Sequence, residues 1–170
     1  HIVDVRGAFL TGDLSDNPVY IDIPKGMEDA IQKDLNDEAA KTKTKPMSIS
    51  GCVLMLLKSL YGLVQSSHLF WRKQSATMIK NLKLERSTAD YCLYYKWLDD
   101  RLFLSVNWVD DINMACSMEA AILEKKRVLS ETFEIDDIGP MKEFVGCKIE
   151  HDRERATMKF TQPILIQSFG

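Results

Sequence analysis

Leu102-Phe103-Leu104-Ser105-Val106-Asn107-Trp108-Val109-Asp110-Asp111-Ile112-Asn113-Met114-Ala115-Cys116 is the stretch on which the fold turns. Two short apolar runs, Leu102 to Val109 and Ile112 to Cys116, flank a pair of aspartates. They read as antiparallel strands joined by a two-residue turn with Asp110-Asp111 at its tip. Just upstream, Tyr91 to Trp97 and the turn Leu98-Asp99-Asp100 add another strand, so three consecutive strands form a meander. Two like charges side by side at a hairpin tip repel, by about a few kcal/mol at protein-like dielectric and short range. A hard divalent cation with oxygen ligands relieves this, and Mg²⁺ suits a site where phosphates complete the coordination. A solvated Asp-Asp turn is the plainer interpretation, and Asp99-Asp100 is read that way.

Working outward, His1 to Val5 reads as a strand, and Val19 to Ile23 as another ended by Pro24-Lys25-Gly26. Cys52 to Leu57 reads as a buried apolar strand. The polar stretch 28–46, with the run Lys41-Thr42-Lys43-Thr44-Lys45, reads as a surface insertion holding one short helix. From Ser67 to Leu82 the apolar Leu69, Phe70, Ala76, Ile79 and Leu82 oppose Arg72, Lys73 and Lys80, the pattern of an amphipathic helix. Ser117 is placed to cap the next helix, with Glu119 in its first turn. Gly139-Pro140 ends the segment that follows. Lys142 to Glu150 and Ala156 to Thr161 form a last hairpin around Asp152-Arg153-Glu154-Arg155, and Pro163 opens a terminal helix. The order of elements gives an α+β domain with an antiparallel sheet, spanning 1–170.

At 170 residues and 45% hydrophobic, the chain can bury one sizeable core. Uncharged stretches such as Pro46 to Leu57 are too short to span a bilayer, so no membrane role is expected. Cys52, Cys92, Cys116 and Cys147 lie far apart and, with only His1, His68 and His151 beside them, form no zinc constellation; all four read as core residues in a reducing compartment. A net charge of −3 argues mildly against a complete nucleic-acid enzyme, yet suits a domain whose acidic residues hold metal. The start at His1, inside a strand, suggests a piece of something longer.

Asp4 shifts the balance toward function. It ends the apolar strand Ile2-Val3-Asp4-Val5, where a charge needs a partner or a metal. If its strand neighbours the Asp110-Asp111 hairpin, three carboxylates converge where two Mg²⁺ ions can bind. That is the equipment for in-line attack of a 3′-hydroxyl on an α-phosphate.

The stretch Asp4-Val5-Arg6-Gly7-Ala8-Phe9-Leu10-Thr11-Gly12-Asp13-Leu14 resembles the first catalytic motif of copia-like (Pseudoviridae) LTR retrotransposon reverse transcriptases. Val19-Tyr20 to Pro24-Lys25-Gly26, Lys58-Ser59-Leu60-Tyr61-Gly62-Leu63-Val64-Gln65, Trp108-Val109-Asp110-Asp111, and Asp137-Ile138-Gly139-Pro140-Met141-Lys142 to Val145-Gly146 resemble the family's further motifs, in order, across nearly the whole chain. Trp108 stands where the family has tyrosine, Val64 where lysine is frequent, and Ser67-His68 where Pro-Arg is common.

The resemblance implies a reverse-transcriptase palm, an antiparallel sheet with helices on one face, plus part of the fingers. It implies an RNA-directed DNA polymerase with two Mg²⁺ ions, Mn²⁺ being an alternative. Asp4, Asp110 and Asp111 would be catalytic and hold the metals with the Val5 carbonyl. Phe9, Tyr61 and Gly62 would bind the nucleotide, with Phe9 excluding a 2′-hydroxyl. Phe144, Val145 and Gly146 would grip the primer, and Lys142 is a candidate general acid. The implied partners are an RNA or DNA template-primer, dNTPs, and the integrase and ribonuclease H of the same polyprotein. The implied location is cytoplasmic, in virus-like particles of a eukaryotic host. Without a thumb and the leading part of the fingers, the isolated chain is expected to be a poor polymerase. Two rivals stand beside this: a non-catalytic RNA-binding domain, which would carry an aromatic RNA-recognition run that is not found here, and a decayed or domesticated palm.

Overall fold

The computed structural model describes residues 1–152 and 154–168. The chain divides into two compact units, His1–Ala8 with Trp71–Gly170, and Phe9–Phe70. Among the described residues, no helix is long and apolar enough to cross a membrane.

The first unit is built on a six-stranded antiparallel sheet. In chain order its strands are β1 (Ile2–Val5), β4 (Glu85–Arg86), β5 (Leu93–Leu98), β6 (Arg101–Trp108), β7 (Asp111–Ala115) and β8 (Ile135–Gly139), and in space they run β4-β5-β6-β7-β1-β8. The expected meander is present, with β5 pairing β6 and β6 pairing β7. Alternation along β6 buries Phe103, Ser105 and Asn107 on one face. With Val3, Val5, Ile112 and Met114 they form the sheet's share of the core. The helices contribute Met78, Leu82, Ile122 and Leu129, from α2 (Ser66–Ala76) with its continuation and from α3 (Glu119–Ser130). Burying a side chain of this size contributes about 1.5–3 kcal/mol. Beyond β8 come β9 (Glu143–Phe144), β10 (Cys147–Asp152) and β11 (Thr157–Thr161), a separate three-stranded sheet, and then α4 (Pro163–Gln167), which opens at Pro163 as expected.

The second unit holds β2 (Val19–Asp22), paired antiparallel with β3 (Val53–Leu56), and α1 (Glu28–Thr42). At fifteen residues α1 is longer than the short helix expected in the polar insertion. It ends at Lys43, whose φ of 54° puts it in the left-handed region, its N–H bonded to the Ala39 carbonyl. The basic run thus sits at a helix C-terminus, where the dipole favours cations.

Several expectations are corrected. The stretch 52–57 does form a strand, but Val53, Met55 and Leu57 are exposed, because a two-stranded sheet leaves an open face. None of the cysteines is a core residue: Cys92 is exposed, and Cys52, Cys116 and Cys147 are half-buried. Cys92 sits in a loop whose conformation is set by its N–H bond to the Asp90 carboxylate, 2.8 Å. Ser117 does not cap α3; Met118 takes that position with no side-chain cap, since the helix starts one residue later. The amphipathic helix changes pitch at Thr77, where a π-helical turn (Thr77–Asn81) begins and the Leu82 N–H reaches back to the Thr77 carbonyl. Met78 and Leu82 are buried in this stretch and Ile79 is exposed. Lys142 to Glu150 is two strands rather than one. The turn expected at Asp152-Arg153-Glu154-Arg155 includes Arg153, which lies outside the described residues.

Candidate active site

Cross-strand register assembles the site from distant parts of the sequence. Asp4, near the end of β1, pairs with Asp111 on β7 and with Asp136 on β8. The Val5 N–H donates to the Asp110 carbonyl at 2.9 Å. Val5 and Asp110 are therefore a hydrogen-bonded pair, and Asp4 and Asp111 the closer, non-hydrogen-bonded kind, with Cα atoms about 4.5 Å apart in standard geometry. On the other side, the Arg6 N–H donates to the Glu134 carbonyl at 2.9 Å, which makes Asp4 and Asp136 a hydrogen-bonded pair. Residues directly opposite one another point to the same face, so Asp111, Asp4 and Asp136 form a row.

Asp4 and Asp111 are both shifted by burial and by neighbouring acids. Burial, then the Asp110 and Asp136 charges, push the Asp4 carboxyl up, against the pull of Arg6. Burial, then Asp110 and Asp4, push Asp111 up. Asp136 goes the other way, held down by hydrogen bonds from Arg6. No hydrogen bond offsets the charge at Asp4 or Asp111 among the described residues.

An all-oxygen, uncompensated donor set suits a hard cation in kind. Among the described residues, however, no three Asp, Glu, His or Cys side chains are gathered closely enough to hold an ion as they stand. Register supplies the neighbourhood, and side-chain rotation would have to supply the rest.

The hairpin tip also differs from expectation. Its central residues are Val109 and Asp110, because Asp111 already belongs to β7 and pairs with Trp108. Val109 has a φ of 53°, a left-handed conformation that a β-branched residue rarely adopts. Such strain costs about 1–3 kcal/mol and persists only where the surroundings enforce it. Here the buried Gln74 side chain on α2 donates through Nε2 to the Val109 carbonyl at 2.8 Å. The sequence reading missed Gln74. Its signal was a polar residue spaced by four from both Phe70 and Met78, on the buried side of the helix.

A second strained tip lies beside the carboxylates. Val145 (φ 48°) and Gly146 (φ 73°) form the two-residue turn between Phe144 and Cys147, which pair across it. Positive φ at both positions is the type I′ arrangement, in which valine is an unusual occupant. A cleft of about 690 Å³ is lined by Asp111 together with Lys142, Phe144, Val145 and Gly146, so one catalytic candidate and the candidate primer-grip residues share a cavity.

The nucleotide-binding candidates fall in the second unit. Phe9 meets Tyr61 edge-to-face at 5.7 Å and Phe70 at 6.3 Å. Gly62, next to Tyr61, has a φ of 93°. The buried Ser59 holds this group: its Oγ donates to the Phe9 carbonyl at 2.6 Å and accepts from the Gly12 N–H at 3.1 Å. A Cβ on Gly12 would lie 2.6 Å from Ser59 Oγ and 2.7 Å from Leu69 Cβ, which explains the glycine.

The profile of a family described as reverse transcriptase (RNA-dependent DNA polymerase) matches residues 1–168. The retrovirus-related Pol polyprotein from transposon TNT 1-94 of Nicotiana tabacum is 29% identical over 166 residues, covering 97% of this chain and 11% of that protein. The putative transposon Ty5-1 protein of Saccharomyces cerevisiae is 24% identical over 147 residues, covering 86% of this chain and 42% of that protein. The chain thus spans less than half the length of either relative. No solved structure gives a significant match.

Proposed function

The chain belongs to the reverse transcriptase (RNA-dependent DNA polymerase) family, as the copia-like resemblance implied, and from that premise we propose that it is the palm, with part of the fingers, of a retrotransposon polymerase. The reaction would join a dNTP to a primer 3′-hydroxyl on an RNA or DNA template. One observation carries this reading: sheet register brings Asp4, Asp110 and Asp111 to adjoining positions. Two Mg²⁺ ions, or Mn²⁺, would activate the hydroxyl and neutralise the departing pyrophosphate.

The chain's own residues have these tasks. Asp4, Asp110 and Asp111, with the Val5 carbonyl, hold the cations. Phe144, Val145 and Gly146 seat the primer in the cleft that Asp111 lines, and Lys142 in that cleft donates a proton to the leaving group. Phe9 rejects a 2′-hydroxyl, and Tyr61 and Gly62 line the nucleotide pocket. Gln74 keeps the Val109-Asp110 turn in its strained shape, so that the carboxylates need little reorganisation when charge develops. On this reading residues 1–170 together make up the palm and part of the fingers, with a polar insertion at 28–46. Integrase and ribonuclease H would be carried by the same polyprotein, in cytoplasmic virus-like particles of a eukaryotic host.

The test is primer extension on a polyribonucleotide template by the enzyme that contains this chain. Asp110→Asn is expected to abolish Mg²⁺-dependent synthesis while leaving the circular dichroism spectrum unchanged. Extension that survives in the variant refutes the assignment. An RNA-binding domain without catalysis would instead bind template and never extend it, in parent and variant alike.

A further inference from the structure

The row Asp111–Asp4–Asp136 holds one carboxylate more than the proposed metal set uses. Asp136 is as directly opposite Asp4 as Asp111 is, only on the other side, and its charge is felt at Asp4. What distinguishes Asp136 is Arg6. Two residues beyond Asp4 and on the same face, Arg6 donates from Nε to Asp136 Oδ2 at 2.7 Å and from Nη2 to Oδ1. Its third donor, Nη1, reaches Glu134 Oε1 at 2.7 Å. One guanidinium therefore occupies both oxygens of Asp136, the bidentate geometry that only arginine provides.

We propose that Arg6 is a positioning residue that withholds Asp136 from the metal site, restricting the site to Asp4, Asp110 and Asp111. This rests on the metal-site reading above. Arg6 and Asp136 are half-exposed and Glu134 more so. A bidentate, networked pair adds more to stability than an ordinary exposed one, but stability does not require that it be placed beside Asp4. Coordination does. Mg²⁺ takes six oxygens in a near-ideal octahedron, and in phosphoryl transfer several must come from substrate and water. A fourth protein carboxylate would occupy a position that a phosphate oxygen needs. It would also add charge that tightens cation binding while filling the open positions. Removing Arg6 is therefore expected to make a better cation trap and a worse site for a triphosphate.

The experiment is Mn²⁺ binding to the 170-residue chain, followed by the electron paramagnetic resonance of free Mn²⁺, without substrate. Arg6→Met is expected to bind Mn²⁺ about tenfold more tightly than the parent, because affinity for such ions follows the number of charged oxygen ligands. Adding Asp136→Asn to Arg6→Met should return the affinity to the parent value. Adding Glu134→Gln instead should not. Arg6→Lys, which keeps the charge without the fork, should fall between parent and Arg6→Met. Should Arg6→Met fail to fold by circular dichroism, Asp136→Asn alone decides. With Arg6 released beside Asp4, binding should weaken several-fold, and unchanged or tighter binding overturns the proposal. Normal parent binding with no gain in a folded Arg6→Met, or a gain that survives Asp136→Asn, also overturns it. A parent that binds no Mn²⁺, or binds it equally well with Asp110→Asn, sinks the metal-site reading and this inference with it.

Discussion

Asp111→Asn should stabilise the metal-free chain, although it removes a charged residue from the proposed site. In the non-hydrogen-bonded register the Asp4 and Asp111 Cβ atoms are about 5 Å apart in standard geometry, and two unit charges at that separation would repel by about 3 kcal/mol at an effective dielectric of 20. Both side chains are only half-buried, so solvent screening reduces this to about 1 kcal/mol. For a chain of this length that corresponds to a rise in Tm of about 2–4 °C.

The pH dependence gives the sign a second check. The folded Asp111 carboxyl titrates above its ordinary value of 3.8, so the native state holds a proton that the unfolded state has released. Stability contributed by that proton is present below the unfolded value and lost as pH rises through the folded one. The gain of Asp111→Asn over the parent should therefore be absent near pH 3, develop through the mildly acid range, and stay constant at neutrality. Thermal melts in EDTA at low salt, from pH 3 to 8, measure it. Saturating Mg²⁺ should reverse the order, because a ligand that binds only the native parent stabilises it in proportion to RT ln(1 + [L]/Kd). An Asp111→Asn chain that melts below the parent at pH 7 in EDTA would mean that Asp111 makes an attractive native contact, and the repulsion argument would fail.

Phe9→Val should admit ribonucleotides by opening space beside the sugar. If the efficiency ratio of a deoxynucleotide to its ribonucleotide is unchanged, Phe9 is only the packing partner of Tyr61 and Phe70. Gly12→Ala should destabilise the second unit by about 1–3 kcal/mol, since the added carbon meets Ser59 and Leu69 well inside contact distance. A denaturant midpoint equal to the parent's would show that this turn relaxes freely. Asp137→Asn should cost about 2 kcal/mol at neutral pH by leaving the buried Lys126 ammonium without its carboxylate. The hydrogen bond from Lys126 holds the Asp137 carboxyl below the usual range, so this loss should fade as pH falls through the depressed value. A loss that is equally large at pH 3 would assign it to packing instead.

The sequence made the meander legible because Leu102 to Cys116 carries its own pattern: two apolar runs and a tip too polar to be buried. Asp4 was legible as a charge ending an apolar strand. Neither pattern records which strands become neighbours across more than a hundred residues. That is why β8, and with it the Arg6–Asp136 contact, had no counterpart in the reading. Periodicity also misjudged burial where its assumptions lapsed. The strand at 52–57 has apolar residues on both faces, but the two-stranded sheet it belongs to leaves one of those faces open. The helix at 67–82 keeps a 3.6-residue pattern in sequence while its backbone departs from that period at Thr77.

The two strained valines show what positional information a sequence leaves implicit. Each sits first in the turn of a hairpin, at a position where asparagine, aspartate or glycine would be relaxed, as Asp99 is in the neighbouring tip. A fold selected only for stability would have replaced both, since relief of such strain is an easily reached gain. Their positions tie the strain to the site: Val109 immediately precedes Asp110, and Val145 lines the same cleft as Asp111. Gln74 supplies one counterforce, a buried donor fixed on the Val109 carbonyl. Repulsion among Asp4, Asp110 and Asp111 is a further local penalty, and the two act on the same few residues. A bound cation would relieve the uncompensated charge, while Gln74 would keep the turn in its strained shape. The region that is least favourable in the empty chain is thus the one the proposed chemistry would stabilise most.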